Sequence, residues 1–126
     1  MIRLKEGVSL DNVHPQIFFA LSIAAPIWAR YGSRDLWVVA ANEPGHSVGL
    51  RGFHRLPDGT CQAVDIRTWT LPTAEAKHRA IDDLATSLGA LYDVLFEPQI
   101  TDDRTGKVIR GEHVHCQYDP ERPGTA

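Results

Sequence analysis

Hydrophobic residues recur at helical spacing in two parts of the chain. The first part, 14–29, places apolar side chains three or four positions apart and predicts a helix that ends before Gly32: Ile17, Phe18, Leu21, Ala24 and Ala25. The second predicted helix begins near Thr73, a suitable N-cap, and runs to about Leu88, where Gly89 ends it.

Four other segments have the pattern of β-strands. Residues 36–41 (LWVVAA) form a short apolar run, and 63–68 (AVDIRT), 92–97 (YDVLFE) and 108–118 are also rich in strand-forming residues. Turn residues at 102–106 predict a hairpin between the last two strands. The order of elements predicts an α+β fold in which helices flank a small, at least partly antiparallel sheet.

The length and the loops indicate one domain, 1–126, with a helical N-terminal segment over 1–34. Residues 42–59 are rich in Gly and Pro and form a long predicted loop, and long ordered loops are usually functional. The Pro- and Gly-containing end, 119–126, is expected to be a flexible tail.

Composition and charge exclude several classes of protein. Apolar residues make up 43% and charged residues 23%, as in globular proteins. The net charge of −3, without a dense basic stripe, argues against a nucleic-acid partner. The longest apolar stretch, 17–29, is too short for a membrane helix and lacks the features of a signal peptide. We therefore expect a monomer without a membrane partner, made in the cytoplasm, whose two cysteines remain thiols.

Candidate chemistry lies in the last strand and in the strand that follows the long loop. His113 and His115 are two residues apart and therefore share a strand face. Asp65 stands between apolar neighbours, where a carboxylate is costly unless it is paired or binds a metal. With a histidine from the loop, such residues match the three ligands of a catalytic zinc, which keeps a fourth position for water. Alternatively, the two histidines are ordinary exposed or hydrogen-bonded residues and Asp65 pairs with Arg67 or Arg55.

The general base has two candidates. Glu112 lies three residues before His115, and a nearby carboxylate can take the proton of a metal-bound water. Residues three apart face opposite sides of a regular strand, so Glu112 joins the site only if the strand begins or bulges near Gly111. His113 has no such difficulty and competes for the role.

These segments resemble the family of zinc D-Ala-D-Ala carboxypeptidases and L-alanyl-D-glutamate endopeptidases, especially its small phage-encoded members. That family carries His-x-x-Gly-x-Ala-x-Asp, followed near the C-terminus by Glu-x-x-His or His-x-His. Similar segments occur here in the same order, at 54–68 (HRLPDGTCQAVDIRT) and 112–120 (EHVHCQYDP). The chain departs from the pattern in an apparent four-residue insertion at 56–59 and in Cys61, which stands where the family has Gly.

The resemblance implies a DD-peptidase (hedgehog-like) fold and a zinc ion held by His54, Asp65 and His115. Glu112 matches the catalytic Glu of one motif and His113 the first His of the other, and we expect Glu112 to be the base and His113 to stabilise the oxyanion.

Two residues of the long loop are candidates for binding substrate. The family's small members often carry a histidine where His46 lies, and the Arg51 guanidinium would suit a substrate carboxylate. Alternatively, both are ordinary loop residues.

The resemblance implies a hydrolase that cleaves peptide bonds in the stem peptides of peptidoglycan. Such a protein would be a phage lysis enzyme that acts on the cell wall, in the periplasm, or would be carried in a virion. The alternative is a phage structural or accessory protein that binds zinc but cleaves nothing.

Overall fold

A computed structural model describes residues 1–42 and 60–120 of the protein. Within these ranges the elements are, in chain order, β1 Ile2–Leu4, α1 Pro15–Arg30, β2 Leu36–Ala40, β3 Ala63–Arg67, α2 Ala74–Leu88, β4 Tyr92–Glu97, β5 Ile100–Thr101, β6 Val108–Arg110 and β7 His113–Tyr118. Neither described helix is both long enough and apolar enough to cross a membrane.

The main sheet has five strands in the order β1-β2-β3-β7-β4. Strand β1 runs parallel to β2, and the other neighbours are antiparallel. Strands β5 and β6 form a separate two-stranded antiparallel sheet. The predicted α+β class with a partly antiparallel sheet is therefore confirmed.

Most of the predicted elements are confirmed with shifts of one residue at their ends. Two differences stand out. The predicted strand over 108–118 is divided into β6 and β7, with Gly111 and Glu112 between them. Strand β1, which lies inside the segment predicted to be only helical, and the short strand β5 were not predicted. The three residues of β1 are all exposed, and three residues are too few to give a strand pattern in the sequence.

Helix α1 buries an apolar stripe against the sheet. Its fully buried side chains are Ile17, Ala20, Ala24 and Trp28. The Trp28 indole Nε1–H also donates to the backbone oxygen of Arg67 at 3.0 Å, which ties the end of β3 to the helix.

Helix α2 begins and ends where the sequence predicts. The Thr73 hydroxyl accepts from the backbone N–H of Ala76 at 3.0 Å, which caps the helix. Gly89, with φ of 81°, ends it in a conformation that favours glycine. The buried Ala80 and Leu84 complete the core on the same side of the sheet as α1.

The two faces of β3 and β7 differ in chemistry. Val64, Ile66, Val114 and Cys116 are fully buried in the cluster that includes both helices, and we call this side the core face. Because strand side chains alternate, the paired residues Asp65 with His115 and Arg67 with His113 lie on the other side, which we call the site face.

The thiols of Cys61 and Cys116 are both buried. Burial raises the pKa of Cys116 to about 12, so its reactive thiolate is scarce at neutral pH. The unfolded thiol ionises at a lower pH than the folded one, so this residue makes the folded state less stable as the pH rises toward 12.

We expect a disulfide-exchange reagent to modify both cysteines only slowly in the native protein and to count two thiols per chain in denaturant. Single Cys61→Ser and Cys116→Ser variants assign the two reactions. If the native protein is lighter than the reduced chain by two hydrogen atoms, and a reductant restores this mass, the two sulfurs form a disulfide.

Candidate metal centre

Asp65 and His115 meet at the centre of the site face. They are direct partners in the pairing of β3 with β7, and the Asp65 Oδ1 lies 3.0 Å from the His115 Nδ1. The other ring nitrogen of His115 lies 2.9 Å from the Gln117 Oε1. Both His115 and Gln117 are buried, so the imidazole is fixed between two oxygen acceptors.

The environment of His115 favours its protonated form. Burial alone would lower the pKa of His115, but its hydrogen bonds to Asp65 and Gln117 and the negative charges of Asp65 and Glu97 raise it above its ordinary value. A proton is therefore held readily between the carboxylate and the imidazole. A metal ion bound by the same two groups would take the place of that proton.

Glu97 is the third member of this cluster. Ligand atoms of Asp65, Glu97 and His115 all lie within 4.8 Å of one another, so the three residues could hold a metal ion. Glu97 was not among the ligands predicted from the sequence. The predicted hairpin brings β4 beside β7, but only the register, which pairs Glu97 with His113, shows that it reaches the site face.

His113 lies beside the cluster, and the prediction that it shares a face with His115 is confirmed. Its Nδ1 is 2.8 Å from the carbonyl oxygen of Gly111, which can only accept, so this nitrogen carries a proton. Its Nε2 lies 3.4 Å from a Glu97 oxygen and 3.6 Å from an Asp65 oxygen. That nitrogen is buried and has no hydrogen-bond partner among the described residues, so it faces the two carboxylates without a hydrogen bond of its own.

Glu112 is directed away from Asp65 and His115. The Thr68 hydroxyl donates to its Oε1 at 2.7 Å, and the Lys77 ammonium on α2 lies 2.9 Å from the same oxygen. Glu112 also lines a cavity with Lys77, Ile81 and Phe96, on the side of the sheet where α2 packs. Although β7 begins near Gly111, at His113, the structure does not bring Glu112 to the site face. The assignment of Glu112 as base stays a prediction without geometric support.

Arg67 borders the cluster on the side of β2. It is the cross-strand partner of His113, and the centre of its guanidinium lies 5.1 Å from the Trp37 ring centroid and 4.4 Å from the Trp69 ring centroid. Burial lowers the pKa of Arg67. The sequence indicated Arg67 only as an ion-pair partner of Asp65, and no such pair occurs in the described part of the chain.

The remaining predicted site residues, His46, Arg51 and His54, lie outside the described residues. The assignment of His54 as a metal ligand and of His46 and Arg51 as substrate-binding residues therefore stays a prediction.

Comparisons of the chain with protein-family models, with curated proteins and with solved structures gave no match. The resemblance to the zinc carboxypeptidases and endopeptidases rests on the two sequence segments alone.

Proposed function

We propose that the protein is a zinc-dependent peptidase that hydrolyses peptide bonds in peptidoglycan stem peptides. The observation that carries the proposal is the direct contact of Asp65 with His115. Each residue comes from one of the two segments that resemble the peptidase family, and the segments are 50 residues apart at this contact. Their convergence at a group able to hold a metal supports the view that they form one site.

The residues fit zinc better than a hard cation such as Mg²⁺. Imidazole and carboxylate together suit zinc, whereas Mg²⁺ and Ca²⁺ prefer oxygen ligands alone. With His54 as the third ligand, the set would be two histidines and one carboxylate, which is also found in hydrolytic zinc enzymes. Zinc bound there would polarise the scissile carbonyl and lower the pKa of a bound water toward about 7.

We assign the proton transfer to His113 rather than to Glu112, the reverse of the role expected from the sequence. The Nε2 of His113 faces the cluster, and Asp65 and Glu97 would stabilise the positive charge that it gains with a proton. Glu112, by contrast, links the start of β7 to α2 through Lys77 and Thr68. Its role would then be to position the strand that carries both histidines.

The test is turnover of purified peptidoglycan, followed by mass spectrometry of the released peptides or amino acids. We expect release in the presence of zinc, loss of release with a chelator and recovery when zinc is added back. Asp65→Ala should abolish the release, and His78→Ala, at an exposed histidine on α2, should not change it. Absence of release by the zinc-loaded wild-type protein would refute the peptidase.

One observation favours a second candidate, a phage structural or accessory protein that binds zinc without cleaving. The carboxylate that matches the family's catalytic Glu is engaged by Lys77 and Thr68. Stoichiometric zinc without turnover on any peptidoglycan would support this candidate.

A further inference from the structure

Arg67 is held between two indole rings at the edge of the candidate metal centre. Its guanidinium stacks on Trp37 and Trp69, with distances of 5.1 and 4.4 Å to the ring centroids. The Trp28 indole fixes the Arg67 backbone from the core face. Such stacking occupies the faces of the planar guanidinium and leaves its N–H groups to bind acceptors that approach its edge.

The Arg67 guanidinium lacks an acceptor among the residues that the structure describes. It makes no hydrogen bond or ion pair within the described ranges, 1–42 and 60–120, and its Nε is buried without a partner. The absence is notable because the chain has more acidic than basic residues, and Glu97 on the same face pairs with Arg110 instead. A buried donor without an acceptor is costly, so this arrangement suits a residue whose acceptor comes from a ligand.

Arg67 lies on the same strand face as the candidate metal centre. Arg67 lies beside His113 and two residues beyond Asp65 on the same strand face, which corresponds to about 6–7 Å along the strand. Since one residue of an extended peptide spans about 3.3–3.6 Å, this spacing along the strand corresponds to about two residues of a bound peptide.

We propose that Arg67, clamped by Trp37 and Trp69, binds a carboxylate of the substrate within about two residues of the bond that is cleaved. A carboxylate matches the guanidinium edge because its two oxygens accept two parallel N–H bonds. The carboxylate is either the terminal one of a peptide or one on a side chain. Its assignment to a substrate rests on the proposed function, whereas the carboxylate site itself does not.

The experiment measures binding to the metal-free protein by NMR, through the Arg67 Nε–H signal and the indole N–H signals of Trp37 and Trp69. Three probes separate the sources of the carboxylate: acetyl-D-Ala-D-Ala, its C-terminal amide, and acetyl-D-Ala-D-Glu with a C-terminal amide. We expect the first or the third probe to shift all three signals and the second to shift none. The probe that binds identifies the terminal or the side-chain carboxylate.

Variants test whether the guanidinium is responsible. Arg67→Lys keeps the charge but loses the two-pronged geometry and should weaken binding about 10-fold, and Arg67→Met should weaken it further. Arg79→Met, at an exposed arginine on α2, is the matched control and should leave binding unchanged. The backbone amide spectrum shows whether each variant is folded. If Arg67→Met is unfolded, the affinity of Arg67→Lys decides whether the guanidinium is responsible.

Equal binding of the amide and acid probes, no binding of any probe, or wild-type affinity in folded Arg67→Lys would overturn the proposal. Because the measurement needs neither zinc nor turnover, it tests the carboxylate site separately from the proposed peptidase activity. An inactive or zinc-free protein that still binds carboxylates through Arg67 would refute the peptidase but keep the carboxylate site.

Discussion

Protein purified without added metal is expected to contain about one zinc ion per chain, and loss of either Asp65 or His115 should remove it. The two groups face each other at 3.0 Å in a mostly buried setting, so neither can bind the metal well when the other is missing. Removal of a partner that only supports a ligand costs about 10–100-fold in metal affinity, and removal of a ligand should cost at least as much. Elemental analysis and competition with a chromogenic chelator measure these losses.

The third ligand is tested in the same series. The sequence assigns it to His54, while Glu97 is the third member of the described cluster. We expect His54→Ala to lose zinc and Glu97→Gln to retain it, because two histidines and a carboxylate form a commoner zinc set than two carboxylates and one histidine. The opposite result would make Glu97 the ligand and exclude His54.

Controls separate loss of the metal from loss of the fold. His78→Ala removes an exposed histidine on α2 and should leave the zinc content unchanged. Circular dichroism should show that the ligand variants keep their secondary structure, since a chain of this length can bury an adequate core without metal. A wild-type protein that neither contains nor takes up a transition metal would refute the metal centre.

Local patterns were sufficient to predict both helices and most of the strands. The cap at Thr73 and the glycine after Leu88 are sequence signals that depend only on neighbours along the chain, and both are found in the structure. Strand β1 depends on its parallel pairing with β2, more than 30 residues away, and nothing in its own three residues indicates this. The pairing that defines β1 is therefore one that the sequence did not predict.

The same distinction applies to the candidate site. The shared face of His113 and His115 follows from alternation along one strand, so the sequence predicts it. Glu97 joins them through the register of β4 with β7, and Arg67 acquires its role through contacts with two indoles. For Glu112, the role predicted from the sequence and the contacts in the structure disagree. A motif suggested its role, but its hydrogen bonds are made with Thr68 and a lysine from α2.

The largest kinetic effect short of metal loss is expected from His113. His113→Ala should lower kcat/KM by about 10²–10⁴-fold while zinc stays bound, because the variant lacks the group that accepts the proton. It should also remove the acidic limb of the pH profile, since that limb records protonation of the base. The reason is geometric, because the Nε2 of His113 faces Asp65 and Glu97 and has no hydrogen-bond partner in the described part of the chain.

Glu112→Gln should keep the acidic limb and a rate close to that of the wild-type protein. Its carboxylate is engaged by Lys77 and Thr68, on the α2 side of the sheet. Glu75→Gln, which removes another carboxylate paired with a basic residue on α2, is the matched control for any general effect of a lost ion pair. Steady-state kinetics across pH on a defined stem peptide, with zinc content measured for every variant, give the comparison.

Lys77→Met separates the two mechanisms further, because it releases Glu112 from its cation. If His113 is the base, this variant should keep the wild-type pH profile. The opposite result would be a pH profile that loses its acidic limb in Glu112→Gln and keeps it in His113→Ala. It would show that Glu112 leaves Lys77 and Thr68 and turns to the metal during the reaction. In that case the sequence motif, rather than the resting geometry, would identify the base.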